Sequence, residues 1–187
     1  GVTCKWSRSL SGPKSNTTYG GASDLRNIAS SLQKGASNEY SEDVLPLIAY
    51  YGTGRLWAQK QAKKKGKQKL KSRFEGYQDC IAEQATDKQL LEWFSETTLL
   101  VSQEGPIPQM TAVQQALERC FADLIDHDET QKVKVEYRQR YRTIVVEYTN
   151  RSGERELHPM YEMSDGYRSV LSMVADIAHR MAVLNPQ

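Results

Sequence analysis

Met163-Ser164-Asp165-Gly166-Tyr167-Arg168 leads directly into a long amphipathic run, and the reading of that junction decides the fold. Tyr167, Val170, Leu171, Val174, Ile177, Ala178 and Met181 recur at intervals of three and four residues, the spacing of one helical face. The helix is expected to continue to about Leu184 and to stop at Asn185-Pro186. Ser164 is its natural N-cap, and Asp165 in the first turn complements the helix dipole. A hydroxyl, an acid and a glycine therefore stand at the positive end of a helix. Backbone N–H groups without intrahelical acceptors point outward there, an arrangement suited to an anion such as phosphate.

Working outward, the preceding segments read as antiparallel strands. Val133, Val135 and Tyr137 alternate with charged residues, and Ile144, Val146 and Tyr148 alternate with Val145 and Glu147. Asn150-Arg151-Ser152-Gly153 is a hairpin turn into a third strand ending near His158. One face of this sheet is expected to be wet. Further upstream, Thr86-Asp87-Lys88-Gln89 is a capping box for a helix with Leu90, Leu91, Phe94 and Val101 inward. Gly105-Pro106 ends it. A second helix, about 111–125, carries Val113, Leu117, Cys120 and Phe121 on its apolar face, so the two form a helical hairpin.

The amino-terminal third is less regular. Val2, Cys4 and Trp6 alternate with polar residues as in a short strand, and Ser23-Asp24 is expected to cap a helix ending at Gly35. The run 44–51 is almost wholly apolar and reads as a buried strand, followed by a Gly52-Thr53-Gly54 turn and Arg55. The expected class is α+β, divided as 1–43 (strand, loop and helix), 44–57 (core strand and glycine loop), 58–130 (basic segment and helical pair) and 131–187 (strands and final helix).

Two stretches carry a family resemblance. Met163 to Arg168 resembles the signature motif of ABC-type ATPases, Leu-Ser-Gly-Gly-Gln in its commonest form. The segment Leu45-Pro46-Leu47-Ile48-Ala49-Tyr50-Tyr51-Gly52-Thr53-Gly54-Arg55-Leu56-Trp57 is similar to a strand and loop of the branch related to SMC and overcoming-lysogenization-defect (OLD) ATPases, several of which act in anti-phage defence. The resemblance covers most of 45–186. It implies a partial ABC-type head, with the helical hairpin as lid and the last helix as signature helix. It implies ATP and Mg2+ as cofactors of a larger parent protein, not bound by this chain alone, and an ATP-dependent homodimer of heads. Ser164 and Gly166 would meet the γ-phosphate held by a second subunit, with Asp165 and Arg168 beside them. Gly52, Thr53, Gly54 and Arg55 would lie near the nucleotide.

Two departures from the motif stand out: Asp165 replaces the first glycine, and Tyr167 replaces the usual Gln or Glu. Neither Gly-x-x-x-x-Gly-Lys-Ser/Thr nor an apolar strand ending in Asp-Glu occurs; Gly12-Pro13-Lys14-Ser15 is only an echo of the former. The expectation is therefore a middle segment of a larger ATPase, not catalytic by itself.

Composition narrows the alternatives. Hydrophobic content of 39% and charged content of 26% suit a globular chain, and no apolar run approaches the ~20 residues of a membrane helix. Cys4, Cys80 and Cys120 have neither disulfide-framework nor metal-site spacing, which favours a reduced, cytoplasmic setting. Eight cations and no acid occupy 60–73, and removing those eight charges from the net of +2 leaves −6 for the remainder. Lys63, Lys64, Lys65 and Lys67 thus define an alternative function, a DNA- or RNA-binding or protein-interaction module. No aromatic residue interleaves them to stack bases, so a solvated segment is the simpler reading. Asp126-His127-Asp128-Glu129 reads as a polar turn rather than a metal site.

Overall fold

The computed structural model describes residues 3–10, 12–13, 16–38, 43–52, 72–81, 87–125 and 132–186. The chain separates into two compact units, Gly1–Leu45 and Pro46–Gln187.

In the first unit a 3-10 turn at Gly20–Ala22 runs straight into helix α1, Ser23–Ala36. Ser23 is therefore the first helical residue and not the cap. Ala22 holds the cap position without a side-chain bond, since its methyl group has no acceptor to offer, while its own N–H turns back to Tyr19 O at 3.0 Å within the 3-10 turn. The expected strand at the amino terminus does not form. Residues 3–9 are irregular, a single bridge joins Leu10 to Thr17, and Trp6 is 59% exposed. Alternation predicts a strand only where a neighbour takes up the ladder bonds. Here Arg8 fastens the loop instead, donating to Thr17 Oγ1 at 2.9 Å and to Tyr19 Oη at 2.7 Å.

The second unit carries the α+β core: helices α2 (Asp87–Glu104), α3 (Pro108–Leu124) and α4 (Asp165–Leu184), and strands β1 (Lys134–Arg138), β2 (Thr143–Thr149) and β3 (Arg155–Pro159). Gly105, at φ +96°, closes α2 in the left-handed conformation that glycine adopts without strain. Pro108 begins α3 three residues before the expected Thr111, since proline at the first helical position gives up no bond.

The strands form an antiparallel meander β1-β2-β3, with Val135 opposite Val146 and Val146 opposite His158. The Asn150 side chain builds the second hairpin. Its Oδ1 accepts from Ser152 N at 3.0 Å and Glu154 N at 2.9 Å, and Gly153 takes φ +81°. Phe94, Val113, Leu117, Val135, Val146 and Ala175 pack into one core between sheet and helices. The expectation of a wet second face fails at β2, where Val145 is wholly buried and Glu147 nearly so. That face carries an ion ladder whose outer members, Lys134 and Arg155, remain exposed while Glu147 is covered beneath them. Lys134 and Arg138 each reach Glu136 at 2.5 Å, Arg138 Nη2 reaches Glu147 at 2.5 Å, and Arg155 pairs with Glu147 from the third strand.

Helix α4 packs most extensively on α3. Leu171, Val174, Ala175, Ala178 and Ala182 face the core, while Met181 and Tyr167 stay exposed, so the buried stripe is rotated from the one expected. Several residues on the buried side are small, Ala175, Ala178 and Ala182 among them, which suits close packing of the helix on its neighbours.

The run 44–51 also departs from expectation. It joins no strand, and Val44, Leu47, Ile48 and Tyr50 are 40–67% exposed. High apolar content alone does not make a strand where the sheet ends at β1 and β3. Instead Tyr50 N donates to Cys80 O at 2.7 Å, and Tyr77 Oη donates to Pro46 O at 2.7 Å.

Candidate functional site

The amino terminus of α4 is reached through Pro159 and a 3-10 turn at Met160–Glu162, which breaks the direction of β3 before the helix starts. Ser164 is the N-cap. Its Oγ lies 3.5 Å from Tyr167 N, and its carbonyl accepts the first helical bond from Arg168 N at 3.0 Å. As an acceptor toward Tyr167, the hydroxyl keeps its proton for an outside oxygen. Ser164, Asp165 and Gly166 are exposed. A Cβ built on Gly166 would approach nothing closer than Ser164 Oγ at 4.0 Å, so the first turn is open on that side.

Asp165 does not stand alone at this end. Arg168 Nη2 donates to its Oδ1 at 2.6 Å, across one turn. Such a surface pair contributes little to stability, but it places a cation within one turn of the amides and offsets the acid beside them. Tyr167, although 39% exposed, leans its ring on Phe121 at 6.1 Å. Phe121 in turn meets Tyr148 at 5.9 Å, and Tyr148 stacks on His158 at 5.5 Å with 17° between planes. The first turn of α4 is thereby braced on β2 and β3.

That brace contains a polar cluster which the strand pattern concealed. Glu156 Oε2 accepts from Tyr148 Oη and from His158 Nε2, each at 2.9 Å, and Oε1 accepts from Asn150 Nδ2 at 2.8 Å. These bonds, His158's foremost, then those of Asn150 and Tyr148, hold the Glu156 carboxyl down at about 2. Burial first, and then the bonded Glu156 carboxylate, push the Tyr148 phenol up to about 12. His158 is thus bonded within the hairpin, as an ordinary boundary residue would be. The available signal was the spacing of Tyr148, Glu156 and His158, which alternation places on one sheet face.

The residues expected near a nucleotide divide into two groups. Ser164, Asp165, Gly166 and Arg168 are brought together by one helical turn. Gly52 is half-buried in the second unit, while Thr53, Gly54 and Arg55 lie outside the described residues. The chain just before that loop is tied to α4: Tyr51 Oη donates to Asp176 Oδ2 at 2.9 Å. Asp176 is eleven residues beyond Asp165, about 16 Å along the axis. Lys63, Lys64, Lys65 and Lys67 also lie outside the described residues, as does the Asp126–Glu129 turn.

A second arrangement, not anticipated, fastens the chain around 72–80 to the carboxyl half of α4. Buried Arg180 donates from Nη1 to Gly76 O at 2.8 Å and Gln78 O at 2.9 Å, and from Nε to Asp176 at 3.0 Å. Arg73 Nε donates to Leu184 O at 2.6 Å. The i,i+4 spacing of Asp176 and Arg180 was readable; their carbonyl partners a hundred residues away were not.

Among the described residues no group of three or more His, Cys, Asp or Glu side chains is placed to hold a metal ion, and no helix is long and apolar enough to cross a membrane. Cys4, Cys80 and Cys120 are free thiols. No protein-family model matches this chain, and no curated protein matches it.

Proposed function

We propose that this chain forms the signature-bearing part of an ABC-type ATPase head, and that the amino terminus of α4 closes on ATP presented by a second protomer. The observation that carries the reading is the open first turn of α4. Its exposed Ser164 hydroxyl retains a proton to donate, its Gly166 amide is unobstructed, and the Asp165 charge is offset by Arg168. These groups fit an anionic phosphate edge, which binds through donated N–H and O–H bonds and the helix dipole.

In this reading Ser164 and Gly166 orient the terminal phosphate, and Arg168 balances both Asp165 and the incoming charge. ATP supplies the anion that joins two heads, so closure is a ligand-dependent shift toward the dimer. Mg2+ belongs with the opposing protomer's phosphate site, since the chemistry at Ser164 is that of donors and not of metal ligands. The free thiols support a reducing, cytoplasmic setting. The chain by itself is not the catalyst.

The test is ATP turnover and ATP-dependent dimerisation of the chain with its native flanking sequence. Ser164→Arg should abolish both while leaving the circular dichroism spectrum intact, and Ser164→Ala should reduce turnover less. Undiminished turnover and dimerisation in Ser164→Arg would show that α4 does not meet the nucleotide.

A further inference from the structure

Strands β1 and β2 are joined by Gln139-Arg140-Tyr141-Arg142, so that with Arg138 the junction reads Arg-Gln-Arg-Tyr-Arg. Short hairpin loops ordinarily fill their turn positions with Gly, Asn or Asp. Here guanidinium groups alternate with an amide and an aromatic ring. The loop is separate in the chain from the Ser164 turn, and nothing in it depends on ATP.

The backbone of the loop is held in place. Tyr141 N donates to Arg138 O at 3.0 Å, Arg142 N donates to Gln139 O at 3.3 Å, and Gln139 Nε2 donates to Ser95 Oγ on α2 at 3.2 Å. Arg142 stands at φ +50°, in the left-handed region that glycine adopts without strain. The charges differ in what answers them. Arg138 is bound by Glu136 and Glu147, each at 2.5 Å. Arg140 and Arg142 are exposed, and among the described residues neither meets a carboxylate. Arg140 instead lies over the half-buried Tyr141 ring, its Cζ 5.7 Å from the centroid. An arginine at a strained position, without an ion partner, adds nothing to the fold that glycine would not; what it adds is charge. Two such guanidinium groups on either side of an aromatic residue match a strand of phosphates and unstacked bases, since guanidinium binds phosphate and both planar groups stack on bases. The ring is the element that 60–73 lacks. An acidic peptide would engage the charges and leave the ring without a role.

We propose that the β1–β2 loop binds single-stranded nucleic acid, with Arg140 and Arg142 on backbone phosphates and Tyr141 against a base. DNA and RNA share that chemistry.

The experiment is fluorescence anisotropy on the full chain without nucleotide, with labelled oligothymidylate, oligouridylate and a DNA duplex of the same length as probes and polyglutamate as competitor. The single strands should bind saturably at low salt, and the duplex more weakly because its bases already stack on one another. Arg140→Gln/Arg142→Gly should weaken single-strand binding roughly tenfold. The slope of log affinity against log salt should fall by about 1.4, each lost phosphate contact accounting for about 0.7. The melting temperature should hold or rise, because glycine relieves the left-handed backbone. Tyr141→Leu should weaken binding about tenfold, and Tyr141→Phe should restore it. Tighter binding of oligouridylate would assign the site to RNA, and of oligothymidylate to DNA. Full affinity in the double variant would place any binding elsewhere on the chain and overturn the proposal. No binding at low salt, tighter binding of the duplex, or equal displacement by polyglutamate at matched charge would overturn it as well.

Discussion

Replacing Arg180 with Met keeps most of the apolar stem and removes the guanidinium that fastens the Arg73–Tyr77 turn to α4. Three losses follow, and their sizes differ with exposure. Gly76 is buried, so its carbonyl loses a charge-assisted bond and no water replaces it, at about 2 kcal/mol. Gln78 is exposed and its carbonyl is rehydrated, at about 0.5 kcal/mol. Asp176, with its side chain 16% exposed, keeps the bond from Tyr51 and loses its ion partner, at about 1 kcal/mol. The total is about 3.5 kcal/mol, a large part of the ~5–15 kcal/mol that stabilises a domain. Circular dichroism during urea unfolding should show the midpoint falling with little change in slope, and the melting temperature should drop by about 10 °C. Asp176→Asn introduced into the variant should add much less than it costs alone, since the pair is already broken. A loss under about 1 kcal/mol, or full additivity of the two substitutions, would show that the clamp contributes little and that this reasoning is wrong.

Further outcomes follow from the same geometry. Gly76→Ala places a Cβ 2.5 Å from Leu184 Cγ and 2.9 Å from its Cδ2; Leu184 is fully buried and cannot retreat, so calorimetry should show a loss of about 1–3 kcal/mol. The Glu156 carboxyl titrates at about 2 when folded, below its ordinary 4.5. Its contribution is therefore present above pH 4.5 and lost as pH falls from there toward about 2. Urea midpoints of Glu156→Gln and the wild type should converge across that window, and parallel curves would contradict the assignment. Tyr148 titrates at about 12 rather than 10.0, so the stability linked to its protonated form persists below pH 10.0 and is lost as pH rises toward about 12. The near-ultraviolet phenolate difference between wild type and Tyr148→Phe should be centred well above pH 10.0.

The legible parts of the site were local. The Ser164 cap, the Asp165 first turn and the stop at Asn185 all rest on residues within a few positions of one another, and the structure has each of them. The Asp165–Arg168 pair spans three residues and was also within reach. The brace through Phe121, Tyr148 and Tyr167 was not, because its members come from α3, β2 and α4 and only packing juxtaposes them. The strand expected at 44–51 failed for a related reason. Apolar character states that a segment can be buried; whether a sheet edge is there to receive it is a property of the rest of the fold.

The linear sequence determined the helices of the second unit, the three-stranded meander, the Asn150–Gly153 turn and the capped start of α4, since caps, alternation and turn residues act over one to four positions. Only the tertiary structure decided which face of α4 is buried, that Glu147 is sealed beneath two arginines, and that Arg180 holds carbonyls about a hundred residues upstream. Those outcomes depend on the partner that each side chain meets, and the partners are brought together by the packing of the whole unit.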